Sequence, residues 1–149
     1  MVIRDAKPED IPVLKGFEQE LIKAERPFDS TIAKDPISYY DLADYVKRND
    51  VKVVVAEIDK VIVGSGYALK KKARHYLDHS FYGYLGFMYT LPEHRGKGIN
   101  QKLVAVLKHW CNSNGLSEVR LTVYEDNLAA IRAYEKAGFK KHIVEMRIV

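Results

Sequence analysis

Residues 91–101 read LPEHRGKGINQ and join two segments of opposite character. Residues 81–90, which precede them, are aromatic-rich and strand-like. After them, Leu103, Val106 and Leu107 follow the spacing of an amphipathic helix. The stretch therefore predicts a turn that leads from a strand into the N-terminus of a helix.

Two glycines make this turn a candidate ligand-binding site. Gly96 and Gly98 let the backbone turn tightly and come close to a ligand. Backbone N–H groups in the first turn of a helix have no intrahelical partner and, with the helix dipole, form a site for phosphate. Arg95 and Lys97 add positive charge beside them. The residues predict a pyrophosphate cradle, with a plain tight turn as the alternative.

Two familiar phosphate-binding motifs do not fit this turn. No Lys-Ser or Lys-Thr pair closes it as in a P-loop, and it has no third glycine for a dinucleotide fingerprint. A second glycine pair, Gly64 and Gly66, also lacks that third glycine. Because it falls inside a strand pattern, it is typical of a bulge or of close backbone packing.

Outward from the turn, the chain alternates between strand and helix patterns in the order β-α-α-β-β-β-α-β-α-β. The predicted segments are residues 2–6, 8–24, 37–48, 51–58, 61–69, 81–90, 99–113, 119–123, 128–137 and 140–149. Asp59 and Lys60 form the predicted turn of an antiparallel hairpin. Gly115 and Gly138 are predicted to end helices. This order predicts an α/β (α+β) fold whose mixed sheet carries helices on both faces.

The composition is that of an ordinary globular domain. The chain has 149 residues, 47% hydrophobic and 30% charged, with a formal net charge of +4. It has no apolar run of about 18 residues and no apolar signal-peptide stretch, so we expect no membrane partner. Its single cysteine, Cys111, forms no internal disulfide, which favours a reducing, cytoplasmic setting. Lys and Arg are spread along the chain, so we expect no nucleic-acid partner either.

A second motif follows the glycine turn. Residues 127–139 read NLAAIRAYEKAGF. Together with RGKGI at residues 95–99 and IRDAKPEDI at residues 3–11, this motif resembles the GCN5-related N-acetyltransferase (GNAT) family over nearly the whole chain. The resemblance implies one N-acetyltransferase domain, residues 1–149, with a mostly antiparallel acyl-CoA N-acyltransferase fold. The chain departs from the family loop at Asn100, where relatives carry Gly or Ala.

The same resemblance implies acetyl-CoA as co-substrate, and no metal. The backbone of the strand before the loop would pair with the pantetheine arm, the loop N–H groups would hold the pyrophosphate, and Asn127 would hydrogen-bond the pantetheine. Tyr134 would lie near the sulfur and give a proton to the departing thiolate; its alternative role is that of a core aromatic. The residues assigned to the cofactor are Met88, Tyr89, Thr90, Arg95, Gly96, Lys97, Gly98, Ile99, Asn100, Gln101, Asn127, Ala130 and Tyr134.

The general base is left open. Many relatives carry a glutamate early in the strand before the loop and others carry one in the following strand, where this chain has Tyr84 and Thr122. Neither side chain is a carboxylate, so a base must come from elsewhere or from a relayed water. The remaining candidates are Glu25, Asp29, His75, Asp78, His79 and Glu125.

The resemblance places acceptor selection in residues 20–45 and 70–84. The first segment combines carboxylates with aromatic rings, which suits a cationic amine. The run of Lys70, Lys71 and Lys72 suits instead an anionic substrate, the CoA 3′-phosphate or a charged sheet edge. We expect an amine-bearing partner, small molecule or protein, and the family frequently forms homodimers. The alternative function is a non-catalytic acyl-CoA-binding or sensor module that lacks a base.

Overall fold

The computed structural model describes all 149 residues and contains a five-stranded sheet in the order β1-β2-β3-β4-β5. Its strands are β1 (Val2–Asp5), β2 (Val51–Ile58), β3 (Val61–Lys72), β4 (Phe81–Thr90) and β5 (Val119–Arg120). Its helices are α1 (Ile11–Glu25), α2 (Leu42–Tyr45), α3 (Ile99–Ser113) and α4 (Leu128–Lys136). Strands β1 to β4 are antiparallel and β5 is parallel to β4, which confirms the predicted mixed, mostly antiparallel sheet.

The hairpin of β2 and β3 follows from its turn residues. Asp59 and Lys60 have φ angles of 49° and 66°, the left-handed values that a two-residue hairpin turn of this hand requires. The strands on either side pair in antiparallel register from Ile58 and Val61 back to Val51 and Leu69. The predicted hairpin is therefore confirmed.

Alternation along β2 builds a core on each face of the sheet. Val53 and Val55 face α1 and α2, whereas Val54 and Ala56 face α3. The helix residues that pack against the first pair are Leu14, Phe17 and Leu42. Those that pack against the second pair are Leu103, Val104 and Leu107. Helices thus cover both faces, as predicted.

Strand β4 carries a bulge near its C-terminal end. The register with β3 shifts between Ser65, which pairs with Tyr89, and Tyr67, which pairs with Gly86. Phe87 lies in the shifted part with a φ of 57°, and the buried Ser65 hydroxyl donates a hydrogen bond of 3.0 Å to its carbonyl oxygen. A Cβ atom on Gly66 would lie 2.7 Å from the Met88 sulfur. The glycines of β3 therefore allow a bulge and close packing, as the sequence indicates.

The sheet opens beyond this bulge. Strands β4 and β5 share only two residue pairs, Gly83 with Val119 and Tyr84 with Arg120. Because the bulge bends β4, residues 85–90 pair with β3 on one side but have no strand beside them on the β5 side. The predicted strand over residues 119–123 was therefore too long.

Two other predicted segments were wrong in extent or absent. The helix predicted at residues 37–48 is only the short α2, because the N–H groups of Tyr39 and Tyr40 donate to the Glu18 carboxylate instead of to helical carbonyl groups. Helix α2 begins after Asp41, whose side chain accepts the N–H of Asp44. The strand predicted at residues 140–149 does not form, since no backbone group there makes a backbone hydrogen bond.

The lysine run lies in a strand, although the strand predicted at residues 61–69 ends before it. Strand β3 extends through Lys72, so these lysines lie at the end of a strand. The Lys70 and Lys71 ammonium groups lie over the rings of Phe81 and Tyr84 on β4 at 4.2 and 4.4 Å. None of the helices is long and apolar enough to cross a bilayer.

Candidate active site

The glycine turn connects β4 to α3 as predicted. The Arg95 Nε donates a hydrogen bond of 3.0 Å to the Thr90 carbonyl oxygen, and its guanidinium lies 5.7 Å from the centre of the Tyr89 ring. These contacts fix the turn to the end of β4. Gly96 and Gly98 have φ angles of 76° and 79°, values that only glycine adopts readily, and Gly98 caps α3.

The turn presents a row of free donors. The N–H groups of Gly96, Lys97 and Gly98 make no backbone hydrogen bond, and those of the first α3 turn, residues 99–101, have no intrahelical partner. A Cβ atom built on either glycine meets no atom within 4 Å, so the space beside the donors is open. The side chain of Ile99 is buried and anchors the turn. Free donors, open space and the exposed Lys97 together fit a pyrophosphate group.

The free edge of β4 runs directly into this turn. Met88 packs toward α3 and Tyr89 packs toward α1, where its ring lies 4.8 Å from that of Phe17. Their side chains therefore pack in the core, while their backbone lies on the edge of β4 that does not pair with β5. The Thr90 hydroxyl is buried without a hydrogen-bond partner, as is the Nδ1 of His94. Sequence reasoning found Thr90 for its backbone and missed its orphaned hydroxyl.

Helix α4 packs against the α3 side of the sheet. The Asn127 side chain caps the helix by accepting the Ala130 N–H at 3.3 Å, and its own amide donor is free. Tyr134 packs against the α3 side of the core and meets Phe139 edge-to-face at 5.9 Å. Burial, followed by the negative charge of Glu25, raises the pKa of Tyr134 to about 12. The phenol therefore stays protonated at every physiological pH.

The two positions that the resemblance linked to a base lie in contact. The Tyr84 hydroxyl and the Thr122 hydroxyl are 2.7 Å apart across the start of the opening between β4 and β5. Lys71 lies over the Tyr84 ring. The pair supplies hydroxyls but no carboxylate.

The histidine candidates lie elsewhere. His79 is hydrogen-bonded at 2.6 Å to both Asp78 and Glu118, and Glu118 also binds Arg120. These hydrogen bonds raise the pKa of His79 and lower that of Asp78. The cluster lies beside the paired end of β4 and β5, away from the glycine turn. His75 is exposed and stacks edge-to-face on Tyr76.

The acidic candidates divide into three kinds. Asp29 is hydrogen-bonded to Thr31, to Arg147 and to the Tyr124 hydroxyl, and these contacts lower its pKa well below the usual range. It is therefore a fixed anion rather than a base. Glu125 is exposed. Glu25 is half-buried at the end of α1 and is the one candidate whose charge acts on Tyr134.

Two clefts lie beside α1. One, of about 570 Å³, is lined by Lys15, Glu18, Gln19 and residues 38–43; the other, of about 330 Å³, is lined by residues of α1, Arg26 and Asp35. Neither touches the glycine turn or Tyr134. The Glu18 carboxylate in the larger one is already occupied by two backbone N–H groups.

The chain was compared with known proteins. The sequence model of the Acetyltransferase (GNAT) family matches residues 18–139. An uncharacterized N-acetyltransferase, YobR, of Bacillus subtilis (strain 168) is 41% identical over 58 residues. That match covers 39% of this chain and 24% of YobR, so it spans about a quarter of that relative's length.

Solved structures share the fold. The aminoglycoside N-acetyltransferase AAC(6')-Iy in complex with CoA has a TM-score of 0.75 at 17% identity, covering 99% of both chains. A predicted acetyltransferase from Clostridium acetobutylicum, solved with acetyl-CoA, has a TM-score of 0.77 at 18% identity, covering 99% of this chain and 95% of that one. At these identities the likeness concerns the fold.

Proposed function

Because this chain belongs to the Acetyltransferase (GNAT) family, we propose that it is an N-acetyltransferase that moves the acetyl group of acetyl-CoA to a primary amine. The proposal treats residues 1–149 as one catalytic domain. The observation that carries it is the free β4 edge leading into a turn of unpaired N–H groups. That arrangement matches an extended arm ending in a pyrophosphate.

The turn would hold the pyrophosphate. The N–H groups of residues 96–101 donate no hydrogen bond within the protein. The positive end of the α3 dipole lies at the same place. Lys97 is exposed and forms no ion pair, so its charge is available to phosphate. Arg95 holds the turn against Thr90. Asn100 leaves its backbone N–H free, so the family departure at this position does not block the cradle.

The β4 edge would hold the pantetheine arm as an added strand. Backbone groups of Met88, Tyr89 and Thr90 lie on that edge, where no strand pairs with them. The orphaned Thr90 hydroxyl and the free Asn127 amide are further polar groups beside the arm. The solved relatives with CoA or acetyl-CoA share the fold that forms this edge.

Acetyl-CoA supplies a thioester carbonyl for direct attack by a neutral amine. An alkyl amine has a pKa near 10.4, so a base must first remove a proton at neutral pH. A backbone N–H near Met88 or Tyr89 would donate to the carbonyl oxygen as it gains negative charge. Tyr134 would donate a proton to the departing sulfur.

The raised pKa of Tyr134 determines how its hydroxyl can give a proton to the sulfur. A phenol of pKa about 12 is a weaker acid than a thiol of pKa about 8.5. A free tyrosinate would therefore not accumulate. Tyr134 passes its proton to sulfur only as it receives one from the amine nitrogen, so it acts as a relay in a single concerted step.

Acidic and aromatic groups on the α1 side support an amine acceptor. Glu25 and Asp29 lie with Phe28, Tyr39 and Tyr124 where α1 meets the chain leaving β5. Carboxylates and ring faces together bind ammonium ions. A free, buried Cys111 is consistent with a reducing, cytoplasmic setting.

A screen for CoA release tests the proposal. The wild-type protein would be given acetyl-CoA and, separately, kanamycin, spermidine, a lysine-containing peptide and a peptide with a free N-terminus. We expect release of CoA thiol with at least one of them, above the rate without acceptor. Tight acetyl-CoA binding without transfer to any amine would favour the non-catalytic acyl-CoA-binding module instead. An absence of acetyl-CoA binding would refute both.

A further inference from the structure

Residues 140–149, here called the C-terminal segment, lie on the surface and are held there by one side chain. Every residue of the segment is exposed, and none of its backbone groups makes a hydrogen bond. Its only hydrogen bonds are donated by the half-exposed guanidinium group of Arg147. Because a single exposed ion pair contributes little to stability, the segment can leave the surface at small cost.

The guanidinium group of Arg147 lies in a fitted site. Its Nη2 donates a hydrogen bond of 3.0 Å to Oδ1 of Asp29, and its Nη1 donates one of 2.9 Å to Oγ1 of Thr31. Two hydrogen bonds from one planar fork are a geometry that a guanidinium group satisfies and a compact ammonium group does not. The pair Asp29 and Thr31 therefore recognises the shape of a guanidinium group as well as its charge.

Contacts that do not involve Arg147 build this site. The N–H and the hydroxyl of Thr31 donate to Oδ1 of Asp29 at 2.9 and 2.6 Å, which leaves the Thr31 oxygen free to accept. The Tyr124 hydroxyl donates to Oδ2 of Asp29 at 3.1 Å. These contacts fix the carboxylate, so the site keeps its form when the C-terminal segment leaves.

An aromatic pair stands beside the carboxylate. The ring of Phe28, the residue before Asp29, stacks on that of Tyr124 with 6.0 Å between centroids and 14° between planes. This stack fastens the turn after α1 to the chain that leaves β5. Ring faces next to a carboxylate favour an organic cation over a hydrated metal ion.

The site lies next to the proposed position of the cofactor. The Asn127 N–H donates a hydrogen bond of 3.0 Å to the Tyr124 carbonyl oxygen, which closes a turn between them. Asn127 caps α4 and is the residue proposed to contact the pantetheine arm. Three residues span at most about 10 Å, so Tyr124 connects the carboxylate of Asp29 to this part of the proposed active site.

We propose that Asp29 and Thr31 bind the guanidinium group of an acceptor amine, and that Arg147 occupies this site until such an acceptor displaces it. The role in acceptor binding rests on the proposed acetyl transfer, whereas the guanidinium site itself does not. Agmatine has the guanidinium group and alkyl chain of arginine joined to a primary amine. Because it reproduces the side chain that the site already holds, guanidinoalkylamines are the substrate class.

Binding is tested with N-acetylarginine amide, which carries a guanidinium group but no amine to acetylate. Nitrogen-15 NMR would follow the amide signals of residues 29–31, Tyr124 and the C-terminal segment during the titration. In the wild-type protein all of these signals should shift. Those of the C-terminal segment should move toward the positions that they have in Arg147→Gln, because the probe displaces the segment.

The variants separate the site from its occupant. Arg147→Gln should bind the probe about three- to tenfold more tightly than wild type, because no internal guanidinium group competes. Asp29→Asn keeps an acceptor for the Thr31 N–H but loses the charge, and should bind at least about tenfold more weakly. Thr31→Val, which keeps the carboxylate, should also weaken binding. Arg48→Gln is the matched control, since Arg48 likewise donates two hydrogen bonds to one surface carboxylate, that of Asp50, and it should bind as wild type.

Acetyl transfer is compared between agmatine and aminobutylurea, whose neutral urea group has nearly the same shape. Wild type should prefer agmatine by about tenfold or more in kcat/KM, and Asp29→Asn should lose this preference. Arg147→Gln should lower KM for agmatine about three- to tenfold with kcat unchanged, and should leave KM for aminobutylurea as in wild type.

Equal affinity of wild type and Asp29→Asn for N-acetylarginine amide would overturn the site, as would an absence of binding by Arg147→Gln. Signals of the C-terminal segment that stay in place while the probe binds would overturn its occupation by Arg147. Equal transfer to agmatine and aminobutylurea would overturn the substrate class. A protein that binds the probe through Asp29 but does not bind acetyl-CoA would instead refute the proposed function, and with it the acceptor role, while the guanidinium site would stand.

Discussion

Replacing Gly98 by alanine separates the role of the turn in folding from its role in cofactor binding. Gly98 lies at the N-terminal end of α3 with a φ of 79°, and Gly115 lies just past the other end of the same helix with a φ of 74°. A Cβ atom on either glycine meets nothing within 4 Å. The two substitutions therefore impose the same backbone strain, but only one touches the proposed cradle.

The expected sizes follow from this geometry. A left-handed φ costs an L-residue about 1–2 kcal/mol, and the stiffer unfolded chain returns about 0.4–1 kcal/mol. Each variant should lose up to about 1.5 kcal/mol of unfolding free energy, or a Tm decrease of up to about 6 °C for a chain of this length. If Gly98→Ala also removes one charge-assisted hydrogen bond to phosphate, worth about 1.5–3 kcal/mol, acetyl-CoA affinity falls roughly 10- to 150-fold.

Calorimetric titration with acetyl-CoA, paired with thermal unfolding of each protein, measures both quantities. Gly98→Ala should lose affinity and stability, whereas Gly115→Ala should lose stability alone. Equal acetyl-CoA affinity in the two variants would refute the cradle. A large affinity loss in Gly115→Ala would show that helix strain, rather than the position of the donors, explains the effect.

Three further predictions concern single side chains. Tyr134→Phe should lower kcat by about 100-fold or more, with acetyl-CoA affinity kept within about twofold. Because the pKa of Tyr134 is raised to about 12, the phenol stays protonated, and the wild-type rate should not fall between about pH 8 and pH 10 through this group. A wild-type decline in that interval that Tyr134→Phe removes would contradict this. Ser65→Ala should lower the free energy of unfolding, measured by urea denaturation, by about 1–3 kcal/mol, because the Phe87 carbonyl oxygen loses its buried donor. An unchanged urea midpoint and m-value would contradict that. Burial raises the pKa of Cys111 to about 11, so native protein should react with DTNB about 100-fold more slowly than protein in urea, and fast native labelling would contradict the buried position.

Local signals in the sequence were sufficient for much of the fold and for the cofactor turn. Gly98 and Gly115 lie at the two ends of α3, where the backbone adopts a left-handed φ that glycine accommodates readily. Asp59 and Lys60 similarly fix the hairpin of β2 and β3. The placement of the turn between a strand and a helix followed from hydrophobic periodicity alone.

Features that depend on distant contacts were not predicted. The bulge at Phe87 depends on a hydrogen bond from Ser65 on another strand, and no local pattern encodes its left-handed φ. The bulge opens the sheet and shortens β5, so the strand predicted at residues 119–123 lost its partner. Residues 140–149 have strand-like composition but no neighbouring edge to pair with.

The search for a general base has the same limit. From the sequence, six side chains had suitable chemistry. The contacts that make Asp29 a fixed anion and that hold His79 between two carboxylates come in part from distant residues, so no local pattern separates these candidates.

The central claim is that acetyl-CoA donates its acetyl group to an amine nitrogen in this protein. Carbon-13 NMR with acetyl-CoA labelled at the thioester carbonyl follows that group directly. With the wild-type protein and an amine from the screen, the labelled signal should move from the thioester position to that of an amide carbonyl. Conversion of the label to acetate alone, or an unchanged thioester signal with every amine, would contradict the claim.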